Sequence, residues 1–343
     1  MKPKKRNRVT LQEVANHAGV SRTTASLSVN NSPSIPEATR EKVLESMREL
    51  GYVYDRVAAN LRSQRSSTIG LIIDEIANPF FSELLDGIHY EMDKAEYTVL
   101  TGTTHDSLDK QIRLLSTMAE NRVGGMIFSP VSSSSQETID QIKHWDIPVV
   151  IVNKHIFGST YDYVGIDNAL GAQKAVEHLI GKGHQRIAFL GGSQKSFPWQ
   201  ERIRGYQNAL LQAGLEIDES LIINSPSTRE GGAHAIQQIF RIPKPTHPTA
   251  IFCYNDVVAI GVMQELKKSG IMPGKHLAIV GFDNNKDAEI VTPGLTTVNS
   301  FTRQIGTHAA LLLLQRLMGF DEDPQTIILE PELIIRDSCS YSP

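Results

Sequence analysis

The chain is poor in cysteine. Its 343 residues include only Cys253 and Cys339, which have no spacing typical of a disulfide framework or a metal site. The basic start MKPKKRNR is not followed by the apolar segment of a secretory signal, and no apolar run approaches the roughly 18 residues of a membrane helix. We therefore expect a soluble, cytoplasmic protein with reduced thiols and no membrane partner.

Patterns that carry catalysis are also missing. The segment LGGSQKS, which begins at Leu190, lacks the glycine and lysine spacing of a phosphate-binding loop, and no serine lies in a nucleophile-elbow context. His178 and His184 are six residues apart, which is poor spacing for a metal on one helix face. We expect no catalytic residues, no metal and no cofactor.

Charge is unevenly distributed along the chain. Residues 1–65 contain 12 Lys and Arg against 6 Asp and Glu, a formal charge of +6, whereas the remaining residues contain 22 against 32, a charge of −10. A basic head on an acidic body indicates one end that binds a polyanion. Residues 1–8 form either an arm near phosphates or a tail that only solvates the chain.

Residues 9–30, VTLQEVANHAGVSRTTASLSVN, have the pattern of two short helices joined by a tight turn. Thr10 precedes the first helix as an N-cap, with Glu13 three residues later, as in a capping box. Gly19 can end this helix in a left-handed conformation, and Ser21 can cap the next. The pattern predicts a helix-turn-helix.

The second helix of this pair has two distinct sides. Ala25 and Val29 are four residues apart and can pack inward. The outer side is small, hydroxylated and carries one charge: Arg22, Thr23, Ser26 and Leu27. Arginine can bond a guanine edge in the DNA major groove, and hydroxyl and aliphatic groups can contact bases or phosphates. An ordinary solvated helical hairpin is the alternative.

A third helix and a short linker follow. Residues 36–50 form a helix with Pro36 in its first turn, and its apolar face closes a three-helix core. Residues 56–61, RVAANL, are compatible with a helix that is too short to persist alone in water. Two copies packed together on DNA could stabilise it, whereas a plain disordered linker is the alternative.

From Thr68 onward, short apolar segments such as TIGLII, YTVLTG, GMIF and IPVVIV alternate with stretches of helix length. A second series of the same kind follows residue 168. The alternation predicts an α/β fold class, with an N-terminal all-α helix-turn-helix head and a two-lobed core of doubly wound parallel sheets. We place the head at residues 1–55, the hinge helix and linker at 56–67, and the core at 68–343.

Ligands of open α/β sheets bind at the carboxyl ends of the strands. The residues that follow the predicted strands are polar or aromatic, and Arg202 is expected to open the next helix. Such side chains could match the hydroxyls and C–H faces of a sugar. The candidate effector-binding residues are Asp74, Phe80, Phe81, Ser129, Asn153, Arg202, Asn255 and Asp283. Structural caps or a polar network between lobes are the alternative, which we prefer for Asp256 as the cap of a helix over 257–269.

The head and linker sequences VTLQEVANHAGVSRTTASLSVNN and IPEATREKVLESMRELGYVYDRVAANLRSQRSSTIGLI resemble the DNA-binding head and hinge of the LacI/GalR family of bacterial transcription regulators. The similarity continues through GHQRIAFLGG, RIRGYQNAL, FCYNDVVAIGV, AIVGFDNN and PGLTTVNS. It therefore covers nearly the whole chain. Leu27 departs from the polar or basic residue that several members have at this position.

The resemblance implies a repressor controlled by a small effector, and ligand contacts for Arg202, Asn255 and Asp283. It implies a hinge helix in which Leu61 intercalates between bases. The predicted DNA-binding residues are Thr10, Ser21, Arg22, Thr23, Ser26, Leu27, Asn30, Ala58 and Leu61. The partners we expect are double-stranded operator DNA, a second copy of the chain as a homodimer, and a carbohydrate, with a nucleobase or other metabolite as the alternative effector.

The family core resembles periplasmic sugar-binding proteins. This resemblance implies a first lobe over about 68–167 and 298–329, and a second lobe over about 168–297 and 330–343. The strands at 296–299 and 326–329 are expected to cross back to the first lobe. A sugar-processing enzyme or a free sugar-binding protein is the competing function, but neither gives the basic head a role.

Overall fold

A computed structural model describes residues 9–53, 66–156, 158–243, 246–341 and 343. The chain divides into two compact units, Met1–Arg65 and Ser66–Pro343. The predicted hinge helix, with Ala58 and Leu61, lies outside the described residues.

The described part of the first unit, residues 9–53, contains three helices around a small apolar core. They are α1 (Leu11–His17), α2 (Arg22–Val29) and α3 (Glu37–Leu50). The fully buried apolar side chains are Val14, Ala15, Ala25 and Val43. Pro36 precedes α3 instead of lying in its first turn.

The turn between α1 and α2 follows from capping residues. The Thr10 hydroxyl accepts from the Glu13 amide at 3.3 Å, and the Glu13 carboxylate accepts from the Thr10 amide at 2.6 Å, which completes the predicted capping box. Gly19 has a φ of +69°, the left-handed conformation that ends α1. The Ser21 hydroxyl accepts from the Thr24 amide at 3.0 Å and begins α2.

The second unit contains two sheets of six strands. The first sheet has the order β11-β5-β4-β3-β1-β2 and is parallel throughout. Its strands are β1 (Thr68–Ile73), β2 (Thr98–Thr103), β3 (Met126–Phe128), β4 (Val149–Val152), β5 (Asp162–Ile166) and β11 (Thr326–Leu329).

The second sheet has the order β12-β10-β9-β8-β6-β7, with only the β10–β12 pair antiparallel. Its strands are β6 (Ile187–Leu190), β7 (Ile222–Ile223), β8 (Ala250–Cys253), β9 (Ala278–Asp283), β10 (Thr296–Asn299) and β12 (Glu332–Ile334). The central strands of both sheets are buried, as in doubly wound folds whose helices cover both faces.

Helices connect the strands of each lobe. Those that accompany the first sheet are α4 (Pro79–Lys94), α5 (Leu108–Glu120), α6 (Gln136–Lys143) and α12 (Thr302–Leu317). Those that accompany the second are α7 (Asn168–Gly181), α8 (Phe197–Gln212), α9 (Arg229–Ile239), α10 (Asp256–Lys268) and α11 (Lys286–Ile290). Over the described ranges, none of the helices combines the length and apolar character that a membrane crossing requires.

The prediction that residues 296–299 return to the first lobe is wrong. β10 hydrogen-bonds to β9 on one side and to β12 on the other, so it belongs to the second sheet. The chain returns to the first lobe after Ser300, where α12 packs against α4. A short strand such as TTVN carries no mark of which sheet edge it will join, because its pairing is decided by tertiary contacts.

Candidate ligand cleft and nucleic-acid interface

A cavity of about 280 Å³ lies between the two lobes at the carboxyl ends of their strands. Both sheets contribute to its wall, as expected for an α/β ligand site. Seven of the eight predicted effector-binding residues line it: Asp74, Phe80, Phe81, Asn153, Arg202, Asn255 and Asp283. Ser129 is not among the lining residues, and its side chain is buried with 1% of its surface exposed.

The first-lobe wall contains a charged cluster built from the ends of its strands. Lys154, two residues beyond β4, is 7% exposed. Its ammonium lies 3.0 Å from Asp106 Oδ1 and 3.6 Å from Asp74 Oδ2. Asp106 Oδ1 also accepts from the Ser132 amide at 2.7 Å, and Asp74 Oδ1 accepts from the Asp106 amide at 2.6 Å. One network of ion pairs and hydrogen bonds therefore connects the segments that follow β1, β2 and β4.

Burial alone would raise the pKa of Asp106. The nearby Lys154 charge and the hydrogen bonds from Ser132 outweigh burial and hold that pKa below its ordinary value. Asp106 is therefore ionised at neutral pH. Glu75 lines the same wall, and burial and the charge of Asp74 raise its pKa.

The second-lobe wall is organised around Arg202, which is 4% exposed. Its Nε donates to Asn168 Oδ1 at 2.9 Å, Nη1 donates to the Tyr254 carbonyl, and Nη2 lies 3.4 Å from Asp283 Oδ1. The guanidinium carbon lies 3.6 Å from the Phe282 ring centroid. These contacts fix the plane of the guanidinium and satisfy a charge that would otherwise be costly to bury.

The expectation that Arg202 opens its helix is wrong. α8 begins at Phe197, because the Ser196 hydroxyl accepts from the Trp199 amide and Pro198 is tolerated in a first helical turn. Arg202 therefore lies in the second turn. The Ser-x-Pro pattern was the sequence signal for the earlier start.

Asp283 has an unusual backbone and an unusual carboxyl group. Its φ of +108° is sparsely populated by residues with a Cβ, and such strain concentrates at functional sites. Burial raises its pKa to about 6, although Arg202 opposes the shift, and the charge of Glu83 adds to it. Glu83 belongs to the first lobe and accepts from the Lys286 amide of the second, so the lobes are in contact beside Asp283.

The assignment of Asp256 as a helix cap is also corrected. Asn255 is the N-cap of α10: its backbone is extended, and its Oδ1 accepts from the Val258 amide at 3.0 Å. Asp256 is fully buried in the first turn, where it accepts from the Thr297 hydroxyl and the Asn285 amide. Burial raises its pKa well above the ordinary value, and the charge of Asp283 acts in the same direction.

Several lining residues were missed by the sequence argument, among them Glu75, His105, Asp106, Lys154 and Tyr254. Asp106 follows β2, and Lys154 follows Asn153, so the rule of strand ends could have found both. Asp106 lies three residues beyond β2 and Lys154 two residues beyond β4, so neither is the first residue after its strand. Within the described ranges, no three His, Cys, Asp or Glu side chains are grouped closely enough to hold a metal ion.

The head presents the predicted outer side of α2 to solvent. Arg22 and Thr23 are exposed, Ser26 is half-buried, and Leu27 is 37% exposed, while Ala25 is fully buried. Over residues 9–53 the structure shows no ion pair or hydrogen bond for the Arg22 side chain. The hydroxyls of Thr10 and Ser21 are engaged in capping.

Residues 10–55 match the model of the bacterial regulatory proteins of the lacI family, and residues 176–339 match a periplasmic binding protein-like domain. The HTH-type transcriptional repressor PurR of Vibrio atlanticus (strain LGP32) is 34% identical over 331 residues, which cover 96% of this chain and 98% of that protein. The chain belongs to the LacI family. Its relatives of this name are transcriptional repressors and not enzymes.

Solved structures of LacI-family regulators have the same fold. A transcriptional regulator CelR in complex with cellobiose is 31% identical, with a TM-score of 0.72 over 96% of this chain and 100% of that chain. A lac repressor dimer bound to operator and the anti-inducer ONPF is 25% identical, with a TM-score of 0.84 over 97% of this chain and 99% of that chain. The helix-turn-helix head and two-lobed core are therefore shared with known LacI-family proteins.

Proposed function

We propose that this LacI-family protein is a repressor that binds operator DNA through α2. A small effector that occupies the cleft either lowers or raises its affinity for the operator. The observation that carries the proposal is the combination, in one chain, of an exposed polar surface on α2 and a polar cavity between the two lobes of the core. An effector changes DNA affinity only through its different affinities for two arrangements of the lobes.

The DNA-binding part of the proposal rests on the outward side of α2. Arg22 is exposed and can fork onto a guanine edge, and Leu27 can contact a thymine methyl group. Thr23 and Ser26 supply hydroxyls beside them. The +6 charge of residues 1–65 supports binding to the phosphate backbone.

We infer that the effector is a sugar or sugar derivative bound between the lobes. Carboxylate oxygens of Asp74 and Asp283 can accept from vicinal hydroxyls, and the rings of Phe80 and Phe81 offer apolar faces for C–H groups. The volume of about 280 Å³ lies at the lower end of ligand pockets and suits a small molecule. The similarity to a regulator solved with cellobiose supports the same class.

We also propose that the working form is a two-fold dimer on a near-palindromic operator. Each chain has one helix-turn-helix, and two such units read half-sites about one helical turn apart. The similar lac repressor was solved as a dimer on its operator. Sedimentation of the protein with a full operator should give two chains per DNA, and a single chain at all concentrations would contradict the dimer.

A titration of DNA at increasing salt tests the proposed function. Operator candidates are first selected from a random DNA pool, and a scrambled duplex of the same length serves as the control. Counterion release predicts that the logarithm of the binding constant falls linearly with the logarithm of salt concentration, while the preference over scrambled DNA persists. Equal affinity for selected and scrambled DNA would reject sequence-specific regulation.

A further inference from the structure

The charges around the cleft are unbalanced. Four carboxylates line the cavity, Asp74, Glu75, Asp106 and Asp283, whereas the cations among its described lining residues are Lys154 and Arg202. Set against Lys154 and Arg202, these carboxylates give the wall an excess of two negative charges when all four are ionised. A ligand that carries negative charge meets repulsion in this cavity, and solvent screens charges between the lobe walls less than it screens charges on an open surface.

Neither cation is available to an incoming anion. Arg202 donates to Asn168, Tyr254 and Asp283, and Phe282 covers one face of its guanidinium. Lys154 is 7% exposed and lies between the carboxylates of Asp74 and Asp106. An anion that approaches Lys154 therefore also meets the two carboxylates that already neutralise it.

The two carboxylates that neutralise Lys154 also accept hydrogen bonds from other groups. Asp106 Oδ1 accepts from the Ser132 amide at 2.7 Å and the Ser132 hydroxyl at 3.0 Å, as well as from Lys154. Asp74 Oδ1 accepts from the Asp106 amide at 2.6 Å. Because a backbone amide donates to each carboxylate, moving either one away from Lys154 would break a hydrogen bond.

We propose that Asp74 and Asp106 act as an anion filter, so that the cleft takes an uncharged, hydroxyl-rich effector and rejects its phosphorylated counterparts. This inference rests on the proposed function only in taking the cleft as the effector site. The two carboxylates supply acceptors for hydroxyl protons while they neutralise Lys154. The phosphate group of a phosphorylated sugar has no proton to donate in its dianionic form, and it adds like charge.

Thermal unfolding with inorganic phosphate tests the filter without knowledge of the effector or use of DNA. Phosphate is compared with sodium chloride at equal ionic strength. The wild-type protein should show no phosphate-specific rise in Tm. The double variant Asp74→Asn, Asp106→Asn keeps the side-chain size but frees Lys154, and at about ten times the dissociation constant phosphate should raise its Tm by roughly 2–3 °C.

Two control variants locate the effect. Adding Lys154→Met to the double variant should abolish the phosphate-specific rise. The variant Asp93→Asn, Asp146→Asn removes the same charge from exposed positions of the same lobe and should behave as wild type. A wild-type rise that Lys154→Met removes would overturn the filter, and so would the absence of any rise in the double variant.

A ligand pair provides a second measurement if the double variant does not fold. Glucose and glucose 6-phosphate differ by one phosphate, and the wild-type Tm is measured with each. The filter predicts that the phosphorylated member never stabilises the protein more than the neutral member. Greater stabilisation by glucose 6-phosphate would overturn the filter. The operator titration tests DNA binding separately, so its failure would not change the conclusion from either thermal-unfolding experiment.

Discussion

Two arginines mark the two functional regions, and their surroundings differ. Arg22 in the head is exposed, and the structure shows no partner for its side chain within residues 9–53. Arg202 in the core is 4% exposed, hydrogen-bonded to three residues and packed on Phe282. An unpartnered surface arginine is available to an external polyanion, whereas a buried and satisfied one shapes the site around it.

Because their surroundings differ, substitution of Arg22 should affect DNA binding, whereas substitution of Arg202 should affect the stability of the fold. Removing Arg22 deletes no side-chain hydrogen bond or ion pair within residues 9–53, so its effect should be confined to DNA. Removing Arg202 leaves Asp283 buried without its nearest cation, so its effect should include the stability of the whole core. Each of the following experiments tests one side of this contrast.

The largest effect is expected for Arg202→Ala. Loss of one partner of a buried ion pair should lower the free energy of unfolding by about 3–5 kcal/mol, measured by urea denaturation. Arg204→Ala is the matched control, because Arg204 is exposed and its ion pair among the described residues is with Glu201 on the same helix. Its change should stay within about 0.5 kcal/mol. Equal losses for both variants would remove the distinction between the buried pair and a surface pair.

A pH dependence is expected from Asp283. Its pKa rises from an ordinary 3.8 to about 6 in the folded protein, because burial and Glu83 outweigh Arg202. The folded state therefore retains a proton that the unfolded state releases, and this group's contribution to stability falls as pH rises from about 4 to about 6. The free energy of unfolding of Asp283→Asn, relative to wild type, should increase over this window by at most about 3 kcal/mol.

Urea denaturation at several pH values between 4 and 7 measures this difference, and the groups common to both proteins largely cancel. The difference should level off above about pH 6. If it does not change with pH, Asp283 is ionised throughout, and the cavity wall is better solvated than its burial indicates.

A smaller effect, confined to DNA, is expected for Arg22→Ala. Loss of a bidentate guanine contact should cost about 1–3 kcal/mol of operator binding and relax base preference at one position of each half-site. The free energy of unfolding should remain within about 0.5 kcal/mol of wild type. Arg48→Ala removes the same charge from α3 as a control. If Arg22→Ala discriminates among operator variants as wild type does, Arg22 contacts a phosphate or does not contact DNA.

The sequence predicted the head more completely than the core. Thr10, Gly19 and Ser21 act through contacts within a few residues, so local pattern alone is sufficient to predict the helix ends. Strand positions in the core were also visible as apolar segments. The sheet that β10 joins was not, because strand pairing depends on residues far along the chain.

The cleft was predicted only in part, because some of its contacts join residues that are far apart in the sequence. The rule of strand ends identified Asp74, Asn153 and Asp283. It could not show that Lys154 is held by two carboxylates, which come from positions 48 and 80 residues earlier in the chain. It also could not separate Asn255 from Asp256 as the cap, since both residue types are good N-caps and only the extended backbone of Asn255 decides.

The most direct test of the central claim is an anisotropy titration of the selected operator with and without a ligand identified by a thermal-shift screen of sugars. Wild-type affinity should change by roughly 5–150-fold when the ligand binds. Asp283→Asn should bind the ligand-free operator within about twofold of wild type and lose this response. Asp287→Asn, an exposed change on the same lobe, should keep it. An Asp283→Asn variant that responds to the ligand as wild type does would contradict the assignment of the cleft as the site that controls DNA binding.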